Sequence, residues 1–172
     1  MWLAWRDGCE YVVSLDDDCL PADDGHSFVS QHLAAFRTDR WFRTIHGDAP
    51  RGLPYRRLGT LQVALNHGLW TGIADLDGPT ALVRLREPRD YAARRSAVVP
   101  AGMAFPMSAM NLCLHRRAMP AAYQLLMGLE RYGLDRFDDI WSGLLLKRVV
   151  AYQGWCVTSG APLVRHERRS DP

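Results

Sequence analysis

An α/β or α+β domain is what this sequence predicts, because short β-rich runs alternate with helical patterns along its length. Two further observations narrow the class. A chain of 172 residues, 48% hydrophobic and 23% charged, has enough apolar material for one real core and argues against disorder. No internal repeat or low-complexity tract divides it, so residues 1–172 read as a single domain.

Taken in order, residues 1–8 have the pattern of the end of an amphipathic helix, and "CEYVVSL" that of a strand ending at three aspartates. "GHSFVSQHLAAF" predicts a helix with Phe28, His32, Leu33 and Phe36 on its apolar face. The stretch from Gly47 to Gly59, with "APRGLPYRRLG", has the turn chemistry of a long irregular loop. "AMNLCLH" predicts another strand, and "RAMPAAYQLLMG" a helix with Pro120 in its first turn and Gly128 at its end. In "DDIWSGLLLKRVVAYQG", Ile140, Trp141, Leu144, Leu145, Val149 and Tyr152 form an apolar stripe at helical spacing, stopped by Gly154. A strand at "WCVTSG" and a polar tail complete the chain.

Composition also limits function. A net charge of +2, from 21 basic and 19 acidic residues, gives no field to drive binding to nucleic acid or to a membrane surface. Four scattered cysteines, with no CxxC pair and no structural-zinc spacing, fit a reducing cytoplasm. Arg6 and Asp7 interrupt the first apolar run too early for a signal-peptide core, and no window approaches a membrane span.

Chemistry is most visible at "SLDDDC". In a strand, alternate side chains share a face, so Asp16 and Asp18 are expected to project together and Asp17 to the other side. Two carboxylates at a strand end suit a hard divalent cation such as Mg²⁺ or Mn²⁺. A solvated acidic turn leading into a helix start explains the same residues, since Asp23 and Asp24 continue the run. Similar alternatives attend the other candidates. Arg51 reads as a phosphate-clamping guanidinium or as a solvated loop charge. Asp138 and Asp139 read as functional carboxylates or as acids favoured at a helix N-terminus. His67 reads as a ligand or a packed turn residue, and Trp70 as a stacking platform or core.

Several stretches together resemble one family. "SLDDDC" (14–19), "RGLPY" (51–55), "NHGLWTGIADLDGPTALV" (66–83), "FPMSAMNL" (105–112), "LMG" (126–128), "RFDDIWSG" (136–143) and "TSGAPLVRHERRSDP" (158–172) are similar to the reversibly glycosylated polypeptides, also called UDP-arabinopyranose mutases, in order and nearly in spacing. That resemblance spans Tyr11 to Pro172. It implies a GT-A-like mixed sheet with flanking helices and a UDP-sugar-dependent enzyme that interconverts UDP-arabinopyranose and UDP-arabinofuranose, or a related glycosyltransferase. Carried over by residue, it makes Asp16, Asp18 and His166 the ligands of Mn²⁺ or Mg²⁺. Asp16, Asp17, His67, Trp70 and Asn111 contact the nucleotide sugar, and Arg51, Asp138 and Asp139 are catalytic. Association with itself or with other family members is implied as well.

Departures bear on that implication: Ser108 and Ala109 replace the usual Cys-Gly, and Asp171 stands where Asn is usual. An inactive member serving as a UDP-sugar-binding or scaffold subunit is the alternative. The family has a whole segment ahead of the acidic motif, whereas ten residues precede Tyr11 here, too few for a βαβ unit of ~30 residues. The expectation is an N-terminally truncated domain lacking part of the nucleotide pocket, poorly soluble alone and regaining turnover only with an upstream segment.

Overall fold

The computed structural model describes residues 1–37, 62–73, 96–124 and 138–167. Helix α1 spans Trp2–Arg6, β1 Tyr11–Leu15, β2 Cys19–Pro21, α2 Gly25–Ala35, β3 Val63–Gly72, β4 Ala97–Val99, β5 Asn111–His115, α3 Asp138–Tyr152 and β6 Cys156–His166. The strands form one mixed sheet in the order β1-β5-β3-β6-β2, with β4 also paired to β6. Strands β1, β3 and β6 run in one direction and the other three oppose them. This is the mixed sheet with flanking helices expected of a GT-A-like fold.

Two apolar layers fix the helices. On one face Leu65, Leu112, Leu114 and Val157 pack with Leu146 and Val150 of α3 and with Met107 and Met119. On the other, Cys19, Met110 and Val164 pack with Phe28 of α2, joined by Val13 and Trp70. Helix α2 starts where Asp24 caps it, its carboxylate accepting from the Ser27 N–H at 2.8 Å, while Asp23 accepts from the Ser27 hydroxyl and the Gln31 amide. The later part of the acidic run is thus a helix cap.

The connection from β1 to β2 sets the shape of the sheet. It crosses four strand spacings of the sheet order, about 19 Å on a flat sheet at ~4.8 Å each. Three residues reach only about 14 Å between the flanking Cα atoms. The sheet therefore curls, and its register breaks between Gly68 and Leu69 of β3, opposite Gly160 and Leu163 of β6, with Ala161 and Pro162 as the extra residues. Beyond that break β2 takes the free edge of β6 at Val164–His166, while β4 occupies the earlier stretch Val157–Ser159.

Four expectations need correction. Strand β3, the middle of the sheet, was not anticipated, and β6 runs on through Pro162 to His166, so much of the supposed polar tail is strand. Residues 119–121 form a single 3-10 turn and 122–124 follow without helix, while Gly128 lies outside the described residues. Pro120 lies in the first turn, where its missing N–H costs nothing, and the chain leaves helical geometry at Ala122 (ψ 75°). Helix α3 and its stop at Gly154 (φ +71°) are as expected, but it is turned the other way. Gly143, Leu146, Lys147 and Val150 are buried, whereas Trp141, Leu145 and Tyr152 are 51%, 54% and 87% exposed.

Close approach decides that rotation. A Cβ at position 143 would overlap the Met107 backbone, and Lys147 Nζ donates to the Pro100 and Ala101 carbonyls at 3.1 and 3.0 Å. Leu145→Ser is therefore expected to change stability by less than about 0.5 kcal/mol, and Val150→Ala, at 1% exposure, to cost about 2 kcal/mol. Urea unfolding of the two variants measures the contrast, and equal losses would mean that α3 buries its other face.

Candidate functional site

Strand β1 ends at Leu15 and the three aspartates that follow make a turn. Asp16 N–H donates to the Met110 carbonyl at 3.2 Å, and Cys19 N–H closes back on the Asp16 carbonyl at 3.2 Å. One carboxylate oxygen from each of Asp16, Asp17 and Asp18 lies within 4.8 Å of the others. The expected strand alternation, with Asp17 on the far side, does not hold, because a turn has no two-residue period. Asp16 and Asp17 are exposed; Asp18 is largely covered.

His166, at the end of β6, meets this turn. Cys19 and His166 are paired across β2 and β6, and Glu167 N–H donates to the Asp18 carbonyl at 3.1 Å. His166 Nε2 lies 3.3 Å from Asp18 Oδ2, both side chains about one-tenth exposed, and Nδ1 is 2.9 Å from the Ile73 carbonyl. A carbonyl only accepts, so Nδ1 carries a proton and Nε2 is the ring atom left facing the carboxylate. A proton on Nε2, making an ion pair, or a bound cation would bridge the two. The three carboxylates of the turn fit a hard divalent cation, with His166 placed against Asp18.

Asp139 approaches from α3. Its Oδ1 accepts from the Ile140 N–H at 2.7 Å. Its carboxyl is held above the ordinary range chiefly by desolvation, with the negative charges of Asp138 and Asp16 adding to it. Asp139 lines a cleft of about 430 Å³ with Ser14 of β1, Ser108, Ser142, Trp2 and Tyr123. Asp138 is partly buried beside it, its carbonyl accepting from the Ser142 hydroxyl.

The remaining candidates are placed elsewhere. Trp70 packs in the α2-side core, away from the cleft. His67 is partly buried, with Nδ1 3.4 Å from Ser159 Oγ and its ring edge against Phe105; desolvation lowers its pKa to about 4. Asn111 is 1% exposed and fully engaged inside the sheet. Arg51 lies outside the described residues.

The family profile described as "Reversibly glycosylated polypeptide" matches residues 7–172. The chain belongs to the reversibly glycosylated polypeptide family. "Probable UDP-arabinopyranose mutase 4" of Arabidopsis thaliana is 33% identical over 177 residues, covering 95% of this chain and 48% of that protein. "Probable UDP-arabinopyranose mutase 1" of Pisum sativum is 34% identical, and "UDP-arabinopyranose mutase 1" of Oryza sativa subsp. japonica 33%, each covering 95% of this chain and 48% of the relative. The chain spans about half the length of the curated relatives it matches. No described helix is long and apolar enough to cross a membrane.

In this reversibly glycosylated polypeptide the sequence reading missed a buried polar network that holds the site's strands in place. His32, fully buried on α2, has Nε2 2.9 Å from Asn111 Oδ1 and Nδ1 2.9 Å from Asn66 Nδ2. Asn111 Nδ2 donates to the Leu69 and Pro162 carbonyls, which assigns its Oδ1 as acceptor and His32 Nε2 as donor. Asn66 donates to the Ala161 carbonyl, and its Oδ1 accepts from Thr158 at 2.8 Å. His32 had been assigned to an apolar face, and no local signal distinguishes it from an ordinary helix residue. The serines of the cleft carry no motif either.

Proposed function

We propose that this chain binds a UDP-sugar at the Asp16–Asp18 turn through Mn²⁺ or Mg²⁺ and interconverts UDP-arabinopyranose and UDP-arabinofuranose, the activity for which its relatives are named. The observation that carries this reading is His166 Nε2 facing Asp18 Oδ2 at 3.3 Å with Nδ1 committed to the Ile73 carbonyl. Asp16, Asp18 and His166 would hold the cation, and the exposed Asp17 would face the sugar nucleotide. When bound, the cation neutralises diphosphate charge and improves UDP as a leaving group.

The chain's own groups supply the rest. Asp139, whose carboxylate takes up a proton more readily than an ordinary one, is suited to accept and pass on a proton of a sugar hydroxyl. Asp138 and Asp139 together place negative charge where positive charge develops at the anomeric carbon. Reclosure through a different ring oxygen gives the mutase outcome.

Calorimetric titration of the 172-residue chain with UDP-arabinopyranose, in Mn²⁺ and in EDTA, tests this directly. Binding is expected in Mn²⁺ only, and Asp18→Asn is expected to weaken it at least tenfold with an unchanged circular-dichroism spectrum. Equal affinity in EDTA, or in the variant, would overturn the reading.

A further inference from the structure

Helix α3 carries a second apolar stripe on the side away from its buried face. At one turn per ~3.6 residues, Asp138, Trp141, Leu145, Val149 and Tyr152 fall within about 40° of one line along the helix. Trp141, Leu145, Val149 and Tyr152 are all exposed, and none of them belongs to either apolar layer of the core or lines the cleft. Positions 138, 141, 145, 148 and 152 alternate steps of three and four residues, the spacing by which one helix seats its side chains between those of another. A row of large apolar side chains left in water marks a contact surface.

Charge identifies what covers it. The acids of α3, Asp138 and Asp139, are confined to its first turn, and its exposed base, Arg148, flanks the stripe ten residues after Asp138. Arg148 has no carboxylate partner among the described residues. A second α3 laid antiparallel over the first satisfies both ends at once. The register that packs Trp141 against the partner's Leu145 also sets Arg148 against the partner's Asp138, because the two pairs share one midpoint, and twofold symmetry supplies each contact twice. The helix dipoles then oppose each other head to tail. A parallel copy would set acid against acid and base against base, and a partner of uniform charge would suit only one end. We propose that two copies of this chain associate through the exposed face of α3, antiparallel about a twofold axis. This stands apart from the reading of the acidic turn, since Asp139 lies about 120° round the helix from the stripe and keeps its place in the cleft. Asp138 stays ionised in the pair.

A seam of ~21 Å makes an interface at the small end of the range, so a dissociation constant on the order of 100 µM is expected. At the low micromolar concentrations of an unfolding experiment the chain is then monomeric, and the Leu145→Ser comparison above reads the fold alone. The experiment is sedimentation equilibrium of the full 172-residue chain from about 5 to about 500 µM, under reducing conditions because Cys9 is exposed. Monomer is expected at the low end and dimer at the high end. Leu145→Arg is expected to stay monomeric throughout, and Arg148→Asp to weaken association at least tenfold, each with an unchanged circular-dichroism spectrum because both side chains are exposed. The reversed pair Asp138→Arg with Arg148→Asp is expected to restore it. A wild-type chain that remains monomeric overturns the proposal, whether its stripe is bare or covered by another segment of its own. So does a dimer that Leu145→Arg leaves intact, or a reversed pair that restores nothing.

Discussion

Acidification is expected to destabilise this chain by about 3 kcal/mol between neutral pH and pH ~4 through His32 alone. Desolvation, its largest cause, lowers the pKa of this buried imidazole from 6.5 to about 4. The network explains what a second proton would do. Nδ1 accepts from the Asn66 amide, whose carbonyl oxygen is held by Thr158, so a protonated Nδ1 would set donor against donor in a dry site. Because the folded value lies below the unfolded one, the native state binds fewer protons. Stability is then full above the unfolded value of 6.5, falls as pH drops through about 4, and is fully lost only below that. His67, lowered in the same way, adds a loss of the same sign. Urea midpoints measured from pH 7 to pH 4 report the slope. In His32→Gln the neutral-pH stability should be lower and the slope shallower, and a flat wild-type profile would contradict the assignment.

Gly68→Ala is expected to cost a further large amount, of order 3–5 kcal/mol. A Cβ at position 68 would overlap the Asn111 amide and the Pro162 carbonyl, which hydrogen-bond each other at 2.9 Å. The methyl has to displace the amide that links β5 to β3 and β6, leaving buried donors and acceptors unpaired. Gly25→Ala is the control. Nothing lies within 4 Å of its Cβ position, so alanine there is expected to be neutral or slightly favourable. Chemical denaturation of both variants would show the difference, and a tolerated Gly68→Ala would mean that Asn111 is free to move.

Local pattern carried much of this fold. β1, α2, β5 and α3 were legible because each keeps its own periodicity and its own punctuation: Asp24 at one helix start, Gly154 at another helix end. β3 was not, because a central strand buried on both faces shows no alternation, and His67-Gly68 looks like a turn when read alone. The face of α3 was misjudged for a related reason. Hydropathy favours Trp141 and Leu145, but burial went to Gly143, for close contact with Met107, and to Lys147, for the carbonyls of residues 100 and 101. At the site, the acidic turn and His166 were legible through motif and resemblance. Their meeting depends on β2 pairing with β6 across 147 positions of sequence, from Cys19 to His166, which no local rule reveals. The Asn66–His32–Asn111 network draws on several elements in the same way and was equally invisible.

That pairing has a consequence for how the chain is made. β6 is the last described strand to leave the ribosome, yet it is the partner of β2 and β4 and one of the two partners of β3. Among the described residues, no two adjacent strands of the sheet are joined by a tight hairpin, so their pairing waits on distant sequence. Among the described elements α2 can nucleate early, while β1 waits for β5, which emerges about a hundred residues later. The acidic turn finds its place late, since its partner His166 is translated about 150 residues after it. Premature release before residue 166 would leave a chain with its apolar strands exposed, a natural client for chaperones that hold unfolded polypeptides.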